Sequence, residues 1–372
     1  MKIPFSDLKS FIADKIKKEG AITFAEFMSH ALYNSKWGYY QKGKRDDYYT
    51  APQISSIFGE MLAKLFSKLF KRFNERELVL MEIGAGVGYL ARDILLNLEK
   101  RYLEDFNYLK YIPLEISDQK MEELKRYLAK DSLDKYLYPY KKEIKINGII
   151  FSNEFFDALP VHIVKMDKGR LKEIYVEYKN EEFIEVVGEV STDEILSYFE
   201  ELKIELFEGQ RAEVNLEAIR WLNKISKLLE KGFLITIDYG DLSEKLYSFY
   251  QIDGTIRSFY LHQVSKSPYI NIGEQDITAN VNFSALIYFG EKYGFNTLSY
   301  LTQKEFLINL GILDSIDPSD FSAKGIKDRL AIKNLIVPEV GMGEVFKVLI
   351  QSKGIERFSI KDLWENKIKM KK

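Results

Sequence analysis

Three glycines on alternate positions close the segment Leu78-Val79-Leu80-Met81-Glu82-Ile83-Gly84-Ala85-Gly86-Val87-Gly88, an apolar run that feeds a helical pattern. A strand, a G-x-G-x-G turn and a helix in that order let a ligand approach the backbone closely, and glycine also tolerates the positive φ that such a turn can require. Dinucleotide enzymes use a related turn, but their third glycine would fall at position 89, which is Tyr89; Gly88 suits the S-adenosylmethionine version. Glu82, two residues ahead of Gly84, stands where that version sets a carboxylate toward the amino-acid end of the cofactor. Glu115, at the end of the next apolar run, is expected to hold the ribose hydroxyls, because two vicinal hydroxyls match two carboxylate oxygens. The same glycines would also serve as a structural turn in another α/β protein.

A second group of polar residues follows a later strand, in Ser152-Asn153-Glu154-Phe155-Phe156-Asp157-Ala158-Leu159-Pro160. Ligands of doubly wound sheets sit beyond the carboxyl ends of the strands, which sets Asn153, Glu154 and Asp157 toward the transferable methyl. Carboxylates there can orient a nitrogen, and a guanidinium is their best geometric match. Asp157 could equally cap a helix.

The elements that carry these residues read as alternating helices and strands. YLARDILLNLEKRYL places Leu90, Ile94, Leu95 and Leu98 on one helical face; YIPLEIS, INGIIFSNEFF and KGFLITIDYG read as strands. Strands that are apolar throughout imply a parallel sheet covered on both faces. Before the sheet, Leu8, Phe11, Ile12 and Ile16 mark one amphipathic helix. A second begins at Thr23, with Glu26 at capping-box spacing, and a third periodic stretch runs from about Ile54 to Phe73. LKEIYVEYKNEEFIEVVGEV alternates as a hairpin would, with Lys179-Asn180 at its turn. Residues 241–282 read as a long loop or lid, Asn282 as an N-cap, Gly294 as a helix terminator, and EVFKVLIQSKG as a final edge strand.

Composition removes other classes. With 372 residues, 54 basic and 56 acidic side chains give a net charge of -2, without the basic excess that nucleic acid demands. Hydrophobic content of 46% with 14% aromatic residues supplies a core and argues against disorder. The chain has no cysteine, so thiolate metal sites, disulfides and a cysteine nucleophile are excluded, and its three separated histidines make no metal site. No apolar run approaches the roughly 20 residues of a membrane span. The start does not read as a signal peptide, and a cytoplasmic location is the expectation.

Over nearly its whole length the chain resembles the MidA-type (DUF185) S-adenosylmethionine-dependent methyltransferases. The phrases that carry the resemblance are ITFAEFMSHALYNSKWGYY, DDYYTAPQISSIFGE, MEIGAGVG, NEFFDALPVH, IDYG, GTIRSFYLHQV, GEQDITANVNF, TQKEFLINLGI and GEVFKVL. It implies a class I (Rossmann-like) α/β methyltransferase sheet with an N-terminal helical extension and an inserted helical and hairpin substrate region. The expected division is 1–74 for the extension and 75–240 with 295–352 for the core, interrupted by a hairpin at about 168–190. Residues 241–294 and about 302–340 are expected as the inserted lid, and 353–372 as a tail.

The cofactor implied is S-adenosyl-L-methionine, held by Glu82, Gly84, Gly86, Gly88, Glu115 and Asn153, with Thr50 and Pro52 added by the family phrase. Mitochondrial members are protein arginine methyltransferases that assist complex I assembly. The expected partner is therefore a protein substrate of that kind, with a homodimer among the expected assemblies and neither nucleic acid nor membrane insertion expected. Glu154 and Asp157 are the implied guanidinium clamp, and His262 on the lid is a candidate proton relay. Ala85 and Val87 replace the family's commoner Pro and Arg, Gln53 replaces Glu, and Asn280 and Asn282 replace His and Asp. A small-molecule acceptor, or an assembly chaperone with little turnover, are the alternatives.

Overall fold

The computed structural model describes residues 7–41, 56–73, 77–102, 108–261, 263–265, 267–316, 319–337, 342–356 and 358–364. In chain order the first elements are α1 (Leu8–Glu19), β1 (Ile22–Thr23), α2 (Phe24–Tyr33), α3 (Ile57–Phe70), β2 (Leu78–Ile83), α4 (Tyr89–Tyr102), β3 (Leu109–Leu114), α5 (Asp118–Ala129) and β4 (Ile146–Asn153). Next come β5 (His162–Asp167), β6 (Arg170–Lys179), β7 (Glu182–Gly188), α6 (Asp193–Leu202), β8 (Arg211–Val214), α7 (Leu216–Leu228), β9 (Leu229–Asp241) and α8 (Ser243–Leu246). The last are β10 (Arg257–Tyr260), β11 (Gln263–Val264), β12 (Asp276–Thr278), β13 (Val281–Asn282), α9 (Phe283–Lys292), β14 (Asn296–Thr302), α10 (Gln303–Asn309), α11 (Ala323–Ile336) and β15 (Phe346–Lys353). None of the described helices is long and apolar enough to cross a membrane.

These elements form two compact units, one of Met1–Tyr48, Phe156–Leu222 and Gly240–Phe289, the other of Tyr49–Phe155, Asn223–Tyr239 and Gly290–Lys372. The second unit is built on a sheet of order β14-β15-β9-β4-β2-β3. β3, β2, β4 and β9 run parallel, while β15 is antiparallel to both β9 and β14. β2 is buried at every position, which is why it reads as an unbroken apolar run. α3 and α4 pack their apolar faces into one core with the sheet, where Phe66 meets Phe151 at 5.1 Å and Leu90, Ile94, Leu95 and Leu98 are all buried. Each such side chain contributes about 1.5–3 kcal/mol, against about 0.2–1 kcal/mol for an exposed ion pair, so the apolar faces decide this packing.

The first unit carries an antiparallel sheet of order β1-β6-β5-β8 with β7 on β6, and α1 and α2 bury Ile12, Ile16, Phe24, Phe27 and Met28 with Ile163, Ile174 and Val176. Thr23 caps α2 as expected, accepting from the Glu26 N–H at 3.2 Å. The β6–β7 hairpin turns at Asn180 and Glu181, whose φ of 51° and 64° make it a left-handed two-residue turn, one residue later than the spacing suggests.

The structure draws its divisions away from the expected ones. α3, expected in an N-terminal extension ending at 74, buries its apolar face in the core of the second unit. Within 302–340, Phe306, Leu307 and Leu310 of α10 and Ile332 and Leu335 of α11 join that same core, so they belong to the sheet's own cover. The segment 241–282, expected as loop or lid, contains the small sheet β11-β10-β12, whose strands of two to four residues are too short to show alternation. β15, expected at an edge, lies between β9 and β14.

Candidate active site

β2, β3 and β4 end in register, with Ile83 opposite Leu114 and Ser152, and the residues singled out from the sequence gather beyond them. After Ile83 the chain turns sharply: the Gly84 and Ala85 N–H groups both donate to Leu114 O, at 2.8 and 3.3 Å, tying the turn to the end of β3. The three glycines have positive φ of 77°, 55° and 88° but different surroundings. A Cβ on Gly84 would lie 3.3 Å from the Phe155 ring and one on Gly88 2.9 Å from Leu124 Cγ, whereas one on Gly86 would meet nothing within 4 Å among the described residues. Gly88 is a buried packing position, and Gly84 is exposed with the Phe155 ring on the side where a side chain would project. Gly86 faces open space, and it is the place where a ligand can lie against backbone.

Glu115 sits at this turn. One carboxylate oxygen accepts the Gly86 N–H at 2.9 Å and the other the Ser117 N–H at 3.0 Å, so backbone donors orient the group at the open side of Gly86. A carboxylate held this way beside an uncovered glycine fits the diol of a nucleoside ribose. Ser117 in turn caps α5 through the Lys120 N–H.

Glu82 is 3% exposed and accepts the Tyr111 hydroxyl of β3, which places its carboxyl inside the strand layer rather than at the surface of the turn. Burial pushes this carboxyl up to about 8; the Tyr111 hydrogen bond opposes the shift and the charge of Glu115 adds to it. The folded chain therefore holds a proton that the unfolded chain releases near 4.5, and Glu82's contribution to stability declines as pH rises between those values. Glu82→Gln, which keeps an acceptor for Tyr111, is expected to gain melting temperature over the wild type progressively from about pH 5 to about pH 8, with a limiting difference on the order of 4 kcal/mol. Thermal unfolding of both chains across that range checks it; parallel curves would refute it.

At the end of β4, the Asn153 side-chain N–H donates to Glu154 Oε1 at 2.9 Å, while Asn153 Oδ1 is buried without a hydrogen-bond partner among the described residues. Glu154 adopts φ +52°, a conformation that non-glycine residues rarely take. Its N–H donates to Ile237 O at 2.9 Å, and the Phe155 N–H donates to the Asp238 carboxylate at 3.1 Å. Sequence reasoning found Asn153 and Glu154 but gave Asp238 and Phe155 no role. The sequence offered only an acid closing the apolar run ITID in the quoted phrase IDYG, and the structure shows that acid to be fully buried.

Asp157 belongs to the first unit, is 4% exposed, and its carbonyl accepts the Ala279 N–H; no helix follows for it to cap. The aromatic loop packs within that unit, with Tyr39 buried and the Tyr40 hydroxyl donating to Asp276 at 2.8 Å. His162 pairs with the buried Glu173 at 2.7 Å and His30 lies edge-on to Phe11, both packing arrangements. Asn282 caps α9 through the Ala285 N–H and also donates to the Tyr198 hydroxyl at 2.8 Å. Thr50, Pro52 and His262 lie outside the described residues. Among the described residues no group of three or more His, Asp or Glu side chains gathers as a metal site would.

Comparison with known proteins places this geometry. A family described as "Putative S-adenosyl-L-methionine-dependent methyltransferase" matches residues 61–301, a span that includes the glycine turn, Glu115, Glu154 and Asp238. The mitochondrial protein arginine methyltransferase NDUFAF7 of Xenopus tropicalis is 28% identical over 336 residues, covering 80% of this chain and 74% of that protein. The Drosophila melanogaster homolog is 26% identical over 322 residues, covering 75% and 69%. A crystal structure from Burkholderia thailandensis, bound to S-adenosyl-homocysteine, superposes with a TM-score of 0.86 at 28% identity and 97% coverage of each chain.

Proposed function

The chain belongs to the S-adenosyl-L-methionine-dependent methyltransferase family, and on that premise we propose that it transfers the methyl group to an arginine guanidinium of a partner protein. The observation that carries the acceptor is Glu154, a carboxylate held by Asn153 at the end of β4, on backbone whose left-handed conformation its neighbours impose. The relatives that are named protein arginine methyltransferases support the same reading. We place the target arginine on a subunit of a complex I-type quinone reductase, on the strength of the family resemblance.

The bound cofactor supplies an activated methyl on a sulfonium sulfur. Glu115 receives the ribose hydroxyls and Gly86 leaves room for the nucleoside, both as their geometry permits. The acceptor guanidinium is always charged, so its nitrogen is a poor nucleophile until a carboxylate holds it and takes a proton. Glu154 would do both: it would pair with the guanidinium, turn one nitrogen toward the methyl, and accept the proton released as the N–CH3 bond forms and the sulfonium S–CH3 bond breaks to leave S-adenosyl-homocysteine.

Incubating the purified chain with labelled S-adenosylmethionine and a lysate of a strain lacking the gene tests the proposal. Label is expected in a discrete protein band. Label confined to small molecules would favour a small-molecule acceptor, and no transfer by a chain that binds cofactor would favour the chaperone reading.

A further inference from the structure

Beyond the residues that meet cofactor or acceptor, the second unit contains a buried acid with an unusual set of partners. Asp238 is fully buried in β9, one residue short of the unit's boundary at Tyr239. Its Oδ2 accepts the Phe155 N–H at 3.1 Å and its Oδ1 accepts the Tyr239 N–H at 3.0 Å. The preceding Ile237 pairs in register with Asn153 and accepts the Glu154 N–H at 2.9 Å. Two successive N–H groups after β4, those of Glu154 and Phe155, are thus anchored on two successive residues of β9, the second by a side chain where the ladder has ended.

The consequences of that anchor fall on both halves of the site. Pulling the Phe155 N–H onto Asp238 requires the turn that leaves Glu154 at φ +52°, a conformation that persists only when surrounding bonds over-determine it. The same bond sets the Phe155 ring under the cofactor turn, where Cδ2 lies 3.3 Å and Cβ 3.7 Å from the position of a Cβ on Gly84. The ring thus fills the space into which a side chain at residue 84 would project, and it bounds that side of the turn.

We propose that Asp238 is a positioning residue for methyl transfer, which through the Phe155 N–H holds both the Glu154 backbone and the ring that supports the Gly84–Gly88 turn. A carboxylate suits the task because its two oxygens are both acceptors facing two N–H donors. An amide in the same place would turn an NH2 group toward one of them. The proposal rests on the reading that the cofactor lies over Gly86.

Calorimetric titration with S-adenosyl-homocysteine on four full-length chains tests it: wild type, Asp238→Asn, Phe155→Ala and the double variant. Asp238→Asn is expected to weaken binding about 10-fold in the wild-type background and less than about twofold in the Phe155→Ala background, because residues acting through one another are not additive. A merely structural role would lower the melting temperature and leave equal fold-losses in both backgrounds, and equal losses would overturn the proposal, as would undiminished binding by Asp238→Asn. Phe155→Leu, which leaves the Asp238 hydrogen bonds in place, is the second arm if Asp238→Asn fails to fold. About fivefold weaker binding supports the ring's part and unchanged binding overturns it. A wild-type chain that does not bind S-adenosyl-homocysteine overturns the cofactor reading and this proposal with it.

Discussion

Glu154→Gln is expected to keep affinity for S-adenosyl-homocysteine within about threefold of the wild type while methyl transfer falls by about 10²–10³-fold. Glutamine preserves the volume and an oxygen that can accept from Asn153 Nδ2, so the end of β4 keeps its hydrogen bond. What it loses is the charge that pairs with a guanidinium and the capacity to take its proton. The loss therefore falls on kcat, since the contacts proposed for the cofactor run through Gly86 and Glu115. Single-turnover kinetics with saturating cofactor read the effect. A variant with wild-type kcat would remove Glu154 from the chemistry.

Gly86→Val has the opposite signature: the fold persists and cofactor binding weakens by roughly 100-fold or more. The open space around Gly86 means that a larger side chain displaces no atom of the described residues. It must adopt φ +55°, at roughly 1–2 kcal/mol for a residue with a Cβ and more for a branched one. That is small beside a domain's usual 5–15 kcal/mol of stability, so circular dichroism should show a folded chain. The isopropyl group then occupies the volume over the turn. Titration with S-adenosyl-homocysteine shows the loss; wild-type affinity would mean that the cofactor does not lie there.

The turn and its neighbours were legible because their geometry is local. Alternate glycines after an apolar strand specify a turn by backbone geometry alone, and the Gly86 N–H does meet Glu115 although a helix and a strand intervene. The parallel strands were equally readable, because burial on both faces leaves no alternation to misread. Asp238 was not, since an acid at the end of an apolar strand looks like its polar stop, and its role depends on an N–H 83 residues earlier. Gly232 shows the same limit: it reads as a separator between helix and strand, yet it lies inside β9, paired with Gly148, where a Cβ would come within 1.8 Å of the Gly148 carbonyl. β15 reads as an edge because β14 covers it only through antiparallel pairing that leaves β14 itself half-exposed and weakly patterned. Such features belong to the juxtaposition of distant segments, which composition and period do not record.

The account's central claim is that the methyl group ends on an arginine nitrogen. Amino-acid analysis of the protein band labelled by the wild-type chain, after complete hydrolysis, tests it most directly. Recovery of the label as methylated arginine, absent when Glu154→Gln replaces the wild type, is the predicted result. Label recovered on lysine, on a carboxyl group or on a chain terminus would contradict it.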